Sequence, residues 1–246
     1  MKWSVFILFF VIPTLAFSQK DSTVSKLLNR ASGLLKSGGA SGGGLTTQEI
    51  AEGLKEALTV GATHSAQVLS AADGFFGNSL IKVLMPPEAQ KVEKTLRSIG
   101  LGNYVDQAIL SMNRAAEAAS AKSVAIFVAA IRSMTIQDAV GILKGADSAA
   151  THYLRERSSD TLQAAFYPVI AQALQQTEAT KYWKQVFEVY NKLPTTFTKV
   201  NPDLNSYVTD RALQGLFYQI GQEEKKIRKD PAARMSDLLK KVFSNY

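Results

Sequence analysis

The stretch Asn103–Ala119, NYVDQAILSMNRAAEAA, decides the fold. Its apolar residues recur at Val105, Ala108, Ile109, Met112 and Ala116, in steps of three and four that put them on one face of a helix. Val124 to Ile131 follows as a nearly all-apolar run, which as a helix predicts burial on most sides. The same period extends in both directions. Upstream, Pro86-Pro87-Glu88 opens a helix carrying Val92, Leu96 and Ile99 and closed by Gly100. Before it, Thr46 and Glu49 form a capping-box pattern ahead of Ile50, Leu54, Ala57, Leu58, Gly61 and Ala62. Downstream, Thr135 to Asp138 starts a helix that ends near Gly145. Asp147 is an N-cap for a segment reaching Arg157, and Ser158 or Ser159 for one from Asp160 to Gln176, kinked at Pro168. Tyr182, Val186, Val189 and Tyr190 predict a further helix, and Val208, Ala212, Leu213, Leu216, Phe217 and Ile220 another. Asp230-Pro231 opens a terminal one. Leu80–Met85 and Thr195–Val200 are short β-prone runs, expected to pair as a minor ribbon (80–85 with 195–200). With no strand–helix alternation and no repeat, the expectation is all-α: a single-domain bundle of about nine or ten helices over residues 46–246.

The amino terminus reads differently. Met1-Lys2-Trp3 precedes an apolar run from Val5 through Phe17, broken by Pro13, with Ala16 and Ser18 at the −3 and −1 positions of a cleavage site. That is the pattern of a secretory signal over 1–18, too short for a spanning helix. Residues 19–45 then hold a short helix (Val24, Leu27, Leu28, Ala31, Leu34, Leu35) and the Gly/Ser tract Ser37–Gly44, a flexible linker. After signal cleavage no transmembrane span is expected, and the chain is expected to be exported, periplasmic or secreted.

Composition excludes whole chemistries. Of 246 residues none is Cys and only His64 and His152 are histidine, so thiolate metal sites, disulfides and a Cys nucleophile are out and a multi-His metal site has no material. No metal or other cofactor is expected. The 28 Lys+Arg against 21 Asp+Glu give a net charge of +7, a modest excess that favours anionic surroundings. Acidic residues interrupt each basic cluster and no basic stripe interleaves with aromatics, which argues against nucleic acid.

Several blocks of the sequence go together: Asp73-Gly74-Phe75-Phe76, Lys91-Val92-Glu93-Lys94-Thr95-Leu96, Ser111-Met112-Asn113-Arg114-Ala115-Ala116-Glu117 and Gly141-Ile142-Leu143-Lys144-Gly145. Asn201-Pro202-Asp203-Leu204, Glu223-Glu224-Lys225-Lys226-Ile227-Arg228 and Asp230-Pro231-Ala232-Ala233-Arg234 continue the set, with Asp237–Phe243 at its end. In these the sequence resembles the bacterial domain-of-unknown-function family numbered 4197, over nearly all of 46–243. The resemblance implies an exported protein and no established activity. One departure is Ser148, where a second acid is expected after Asp147.

Candidate chemistry is sparse. Gly39-Ala40-Ser41-Gly42-Gly43 matches a nucleophile elbow in letters, followed by Asp147 and His152 in hydrolase order, but lacks the strand before it and the helix immediately after it. The tract also lacks the lysine of a phosphate loop. Asn113, Arg114 and Glu117 are polar residues in an Ala-rich apolar helix, and Arg114 and Glu117 are spaced to pair on one face. If that face is internal its charges need partners, which Asp138, Asp147, Arg155, Arg157 or Asp160 would supply from other helices. Asn113, Arg114, Glu117, Asp147, Arg155 and Asp160 are therefore the candidate ligand-binding residues or buried polar network; no catalytic residue is assigned. Glu223–Arg228 reads as a solvated helix face, with Glu224–Arg228 and Lys226–Asp230 pairs. The expected function is a non-enzymatic binding or interaction protein of the bacterial envelope, its partner an envelope protein or a small amphiphilic ligand. The alternatives are a carrier of an amphiphile or anion in an inter-helix pocket, and an enzyme using carboxylates such as Glu117, Asp147 and Asp160.

Overall fold

In a computed structural model the chain is described over residues 45–175 and 203–230, with Trp183, Lys192, Lys240 and Val242 besides. The expected leader over 1–18, short helix and linker over 19–45 (Leu45 apart), helix near 182–190 (Trp183 apart), β-prone run at 195–200 and terminal helix after Asp230 (Lys240 and Val242 apart) fall outside the described residues. Among the described residues there are seven α-helices and no strand. They are α1 (Thr47–Ser70), α2 (Gln90–Ser98, entered through the 3-10 turn Pro87–Ala89), α3 (Gly102–Ser120), α4 (Ser123–Arg132), α5 (Ile136–Lys144), α6 (Ala149–Gln175) and α7 (Leu204–Lys229).

Local chemistry explains the boundaries. Thr46 accepts from the Glu49 N–H while Glu49 accepts from the Thr46 N–H, the capping box its sequence predicts. Thr135 and Asp138 repeat the device at α5. At neutral pH Asp138 stays ionised: the Thr135 backbone N–H first, and its hydroxyl second, hold the carboxyl below its usual range. Asp203 caps α7 by accepting from the N–H groups of Asn205 and Ser206. Gly100, at φ 83°, makes the turn between α2 and α3. Arg97 spans that turn, donating to Glu93 at 3.0 Å and to Asp106 at 2.7 Å.

The three long helices α1, α6 and α7, with α3, enclose the core; α6 packs most extensively on α7 and α3. Phe75, Phe127, Phe166 and Phe217 are its largest fully buried side chains, and Phe127 meets Phe217 edge-to-face at 5.9 Å. Helices α4 and α5 meet at 105° and both pack against α1. Among the described residues no single helix is long and apolar enough to cross a membrane.

Three expectations change. The segments expected either side of Ser158 are one continuous helix, α6, with Pro168 inside it. Ser158 turns its hydroxyl back to the Leu154 carbonyl, so it bonds within the helix and does not cap a new one. Residues 80–85 form no strand: the Val83 N–H donates to the Asn113 side-chain oxygen and its carbonyl accepts from the Asn113 amide nitrogen, so that side chain occupies the edge a β partner would use. The expected partner run, 195–200, lies outside the described residues. Finally, α4 is less enclosed than its composition predicts: Phe127, Ala130 and Ile131 are buried, whereas Ala125 and Ala129 face solvent.

Candidate functional site

Two charged clusters organise the molecule, each built on one helix and each gripping backbone elsewhere. The first lies on α3. Asn113 is fully buried. Its amide nitrogen donates to the carbonyls of Val83 (2.8 Å) and Ile109 (2.7 Å), and its oxygen accepts from the Val83 N–H (2.9 Å). An amide is the side chain able to answer a peptide group with both a donor and an acceptor. One turn on, Glu117 Oε1 accepts from the N–H groups of Phe75 (3.1 Å) and Phe76 (3.2 Å), and Oε2 accepts from Arg114 Nη1 at 2.6 Å. Arg114 Nη2 reaches Asp73 at 2.7 Å. These carboxylates, Glu117 foremost, raise the Arg114 pKa above its ordinary value.

The gripped segment has a tight geometry of its own. Asp73 sits in the left-handed region at φ 66°. A Cβ on Gly74 would come within 2.4 Å of the Val68 carbonyl oxygen, so only glycine fits there. Phe75 enters the core against Gly215 of α7, where a Cβ would stand 2.5 Å from its ring. Phe76 stays half-buried with the Lys82 ammonium 3.6 Å from its ring centre. Tyr207 of α7 donates to the Leu84 carbonyl at 2.9 Å, and partial burial raises its phenol pKa above the ordinary value.

The second cluster lies on α7 and holds the corner between α5 and α6. Glu224 Oε1 accepts from the Ala150 N–H (3.0 Å), and Oε2 accepts from the N–H (2.8 Å) and hydroxyl (2.7 Å) of Thr151. Arg228 donates to Glu224 through Nε (3.1 Å) and Nη2 (3.0 Å), and passes on to the Ile142 carbonyl at 2.8 Å and the Leu143 carbonyl at 3.4 Å. Helix starts carry orphan N–H groups and partial positive charge, helix ends the reverse. A carboxylate on the start of α6 and a guanidinium on the end of α5 match both. The two side chains are only 5% and 11% exposed. The run Glu223–Arg228 is therefore not a wholly solvated face: its central ion pair forms at the expected spacing but lies inside.

Of the sequence-derived candidates, Asn113, Arg114 and Glu117 share the first cluster, together with Asp73, Phe75, Phe76 and Val83. Asp147, Arg155 and Asp160 share no hydrogen-bond or ion-pair partner with them. Asp147 is exposed and pairs with Lys229 at 3.2 Å. Arg155 lies over the Phe217 ring at 4.4 Å. Asp160 lines a shallow hollow of about 420 Å³ on the outer face of α6, with Gln163, Ala164, Tyr167 and Pro168. The partner expected for Arg114 on another helix comes instead from the turn at Asp73. His64, read as an ordinary residue, faces Glu223 with its Nδ1 at 3.1 Å.

Sequence reasoning missed the burial of Glu224 and Arg228. The signal was there: Glu224 continues the apolar row Leu213, Leu216, Phe217 and Ile220, and Ile227 follows it. Among the described residues no group of three or more His, Cys, Asp or Glu is placed to hold a metal ion.

No curated protein and no solved structure matches this chain. The profile of one family does, over residues 44–244, from the capping box of α1 to the carboxyl-terminal segment. The chain belongs to that family, described as protein of unknown function (DUF4197).

Proposed function

We propose that the protein is an exported, non-enzymatic binding or interaction protein of the bacterial envelope. The observation that supports this best is the state of its buried acids. Glu117 and Glu224, the two carboxylates drawn into the interior among the described residues, are each engaged on both oxygens by backbone N–H groups and an arginine. A general acid or base must have a lone pair or proton free to face a substrate in a cleft; these two are committed to holding the fold. The carboxylates of the enzyme alternative do not converge either, since Glu117, Asp147 and Asp160 have no partner in common. The carrier alternative calls for a cavity between helices of several hundred Å³. The gap among α1, α6 and α7 beside Glu224 measures about 10 Å³ and lends it no support.

Large apolar side chains do remain outside, as a binding surface requires: Ile99 and Tyr104, both 63% exposed, beside the α2–α3 turn, and Leu80, 70% exposed, on the gripped segment. The test is fractionation of a bacterial host expressing the full chain, with amino-terminal sequencing and a broad hydrolase substrate panel. The expected result is an envelope-fraction protein beginning at Gln19 that turns over nothing. Retention in the cytoplasm with the leader intact, or turnover abolished by Ser41→Ala, overturns the reading.

A further inference from the structure

We infer that the turn joining α2 to α3 is a docking tip for an anionic lipid surface. The inference deepens the binding reading above and rests on it, by naming the partner of the apolar side chains at that turn. Residues 99–104 put three large apolar groups outside: Ile99 and Tyr104 at 63% exposure and Leu101 at 38%. Packing does not account for them. Helix α2 lies on α3 and buries none of its own residues. A Cβ placed on Gly100 would meet no atom within 4 Å, so the space beyond the turn is open. The turn is also set before any partner arrives. Gly100, in the left-handed region, lets the Leu101 N–H close on the Leu96 carbonyl at 2.9 Å and its own N–H on the Arg97 carbonyl at 3.2 Å. Arg97 then ties α2 to α3 through Asp106. A surface already ordered loses little entropy on docking.

The occupant is identified by the order of residue types along α2. The two acids nearest the tip, Glu93 and Asp106, are both bonded to Arg97, at 3.0 and 2.7 Å. Lys91 and Lys94, both exposed, have no counter-charge among the described residues. Lys91, Lys94 and Arg97 against Glu93 and Asp106 leave this arm cationic, in a chain whose net charge is +7. Glu88, the remaining acid of the stretch, lies at the far end of α2, in the 3-10 turn that opens it. Lys94 stands behind Ile99 by about 7 Å of helix rise. The polar layer on each side of a bilayer is about 5–8 Å deep. With Ile99 and Leu101 in the acyl boundary, Lys94 therefore reaches the phosphates, and the Tyr104 ring, apolar with a hydroxyl at its end, suits the layer between them. A protein partner would need a pocket cut to fit a projecting turn, whereas a fluid lipid surface accepts it without one. Among the described residues no single helix is long and apolar enough to cross a membrane, so this is attachment at one face.

The test is flotation of the chain from Gln19 onward with vesicles of equal parts phosphatidylethanolamine and phosphatidylglycerol, and separately with vesicles of phosphatidylcholine alone. Binding to the anionic vesicles is expected, falling as salt is raised. Ile99→Ser and Tyr104→Ser in one chain should lower it about tenfold, through the apolar area no longer buried. Lys91→Gln and Lys94→Gln in another should lower it about tenfold on the anionic vesicles and leave phosphatidylcholine unchanged. All four side chains are exposed, so both variants should keep the circular dichroism of the wild type. Residues 19–44 are common to every chain compared, so a difference belongs to the turn. No flotation of the wild type with anionic vesicles overturns the inference, as does flotation undiminished in both variants or equal on the two vesicle types. A wild-type dimer that the Ile99→Ser, Tyr104→Ser chain dissolves, without flotation, assigns the turn to a second copy and overturns it as well. None of these failures touches export or the absence of turnover, so the broader reading stands or falls on its own test.

Discussion

The clusters on α3 and α7 use the same parts, an acid and an arginine one turn apart, for different ends. On α3 the pair and its neighbour Asn113 hold a segment without secondary structure, taking the N–H groups of Phe75, Phe76 and Val83 that have no ladder to join. Arg114 there is 43% exposed and closes the cluster at the surface through Asp73. On α7 both charges are internal, and what they bind are the loose ends of two regular helices. Side chains replace secondary structure in the first case and complete it in the second. Position in the solvent gradient, more than the identity of the pair, then sets what each is worth: an acid removed from α3 leaves a guanidinium that water reaches, while one removed from α7 strands a charge in the core.

The largest effect should come from Glu224→Gln, which leaves Arg228 buried without its counter-charge. A loss of about 3–5 kcal/mol is expected in denaturant unfolding followed by circular dichroism. Asn113→Ala comes next, at about 3 kcal/mol, because the Val83 N–H and carbonyl lose their partner inside the protein. Glu117→Gln should cost about 2 kcal/mol, its arginine being open to solvent. Should Glu117→Gln prove as costly as Glu224→Gln, exposure is not the quantity that separates the clusters. The smallest effect belongs to Asp138, an exposed cap on the helix whose other end Arg228 holds. Its folded-state pKa is lowered, so its contribution is present at neutral pH and disappears as pH falls through that pKa. Melting temperatures of wild type and Asp138→Asn should differ at neutral pH and converge in strong acid. A difference that persists in acid would mean the carboxylate is not what caps α5.

How much of this was legible depended on distance along the chain. Helical period and the Thr46–Glu49 box are local, and local physics determines them. The Arg114–Glu117 pair is likewise visible, since spacing alone puts the two on one face. Their other partners are 41 or 42 residues away, and Val83 is 30 residues from Asn113; no periodicity encodes such a meeting. The β-prone run at 80–85 went astray for that reason, its peptide groups being answered by a side chain and not by a strand. The reading of α6 as two helices failed differently: Ser158 is a genuine cap former that finds a carbonyl within its own helix. At Glu224 a dense run of charges hid the one residue that sits on the apolar row.

The seat of Phe75 against Gly215, and the hold of Glu224 on Ala150 and Thr151, both depend on α7, the last helix of the described core to be synthesised. Everything from α1 to α6 leaves the ribosome before α7 does, yet Phe75 has no groove to enter, and the α5–α6 corner no clasp, until α7 arrives. Contacts closing over 73 and 74 residues are the costly, late ones. A chain built this way completes its described core only once α7 has been made.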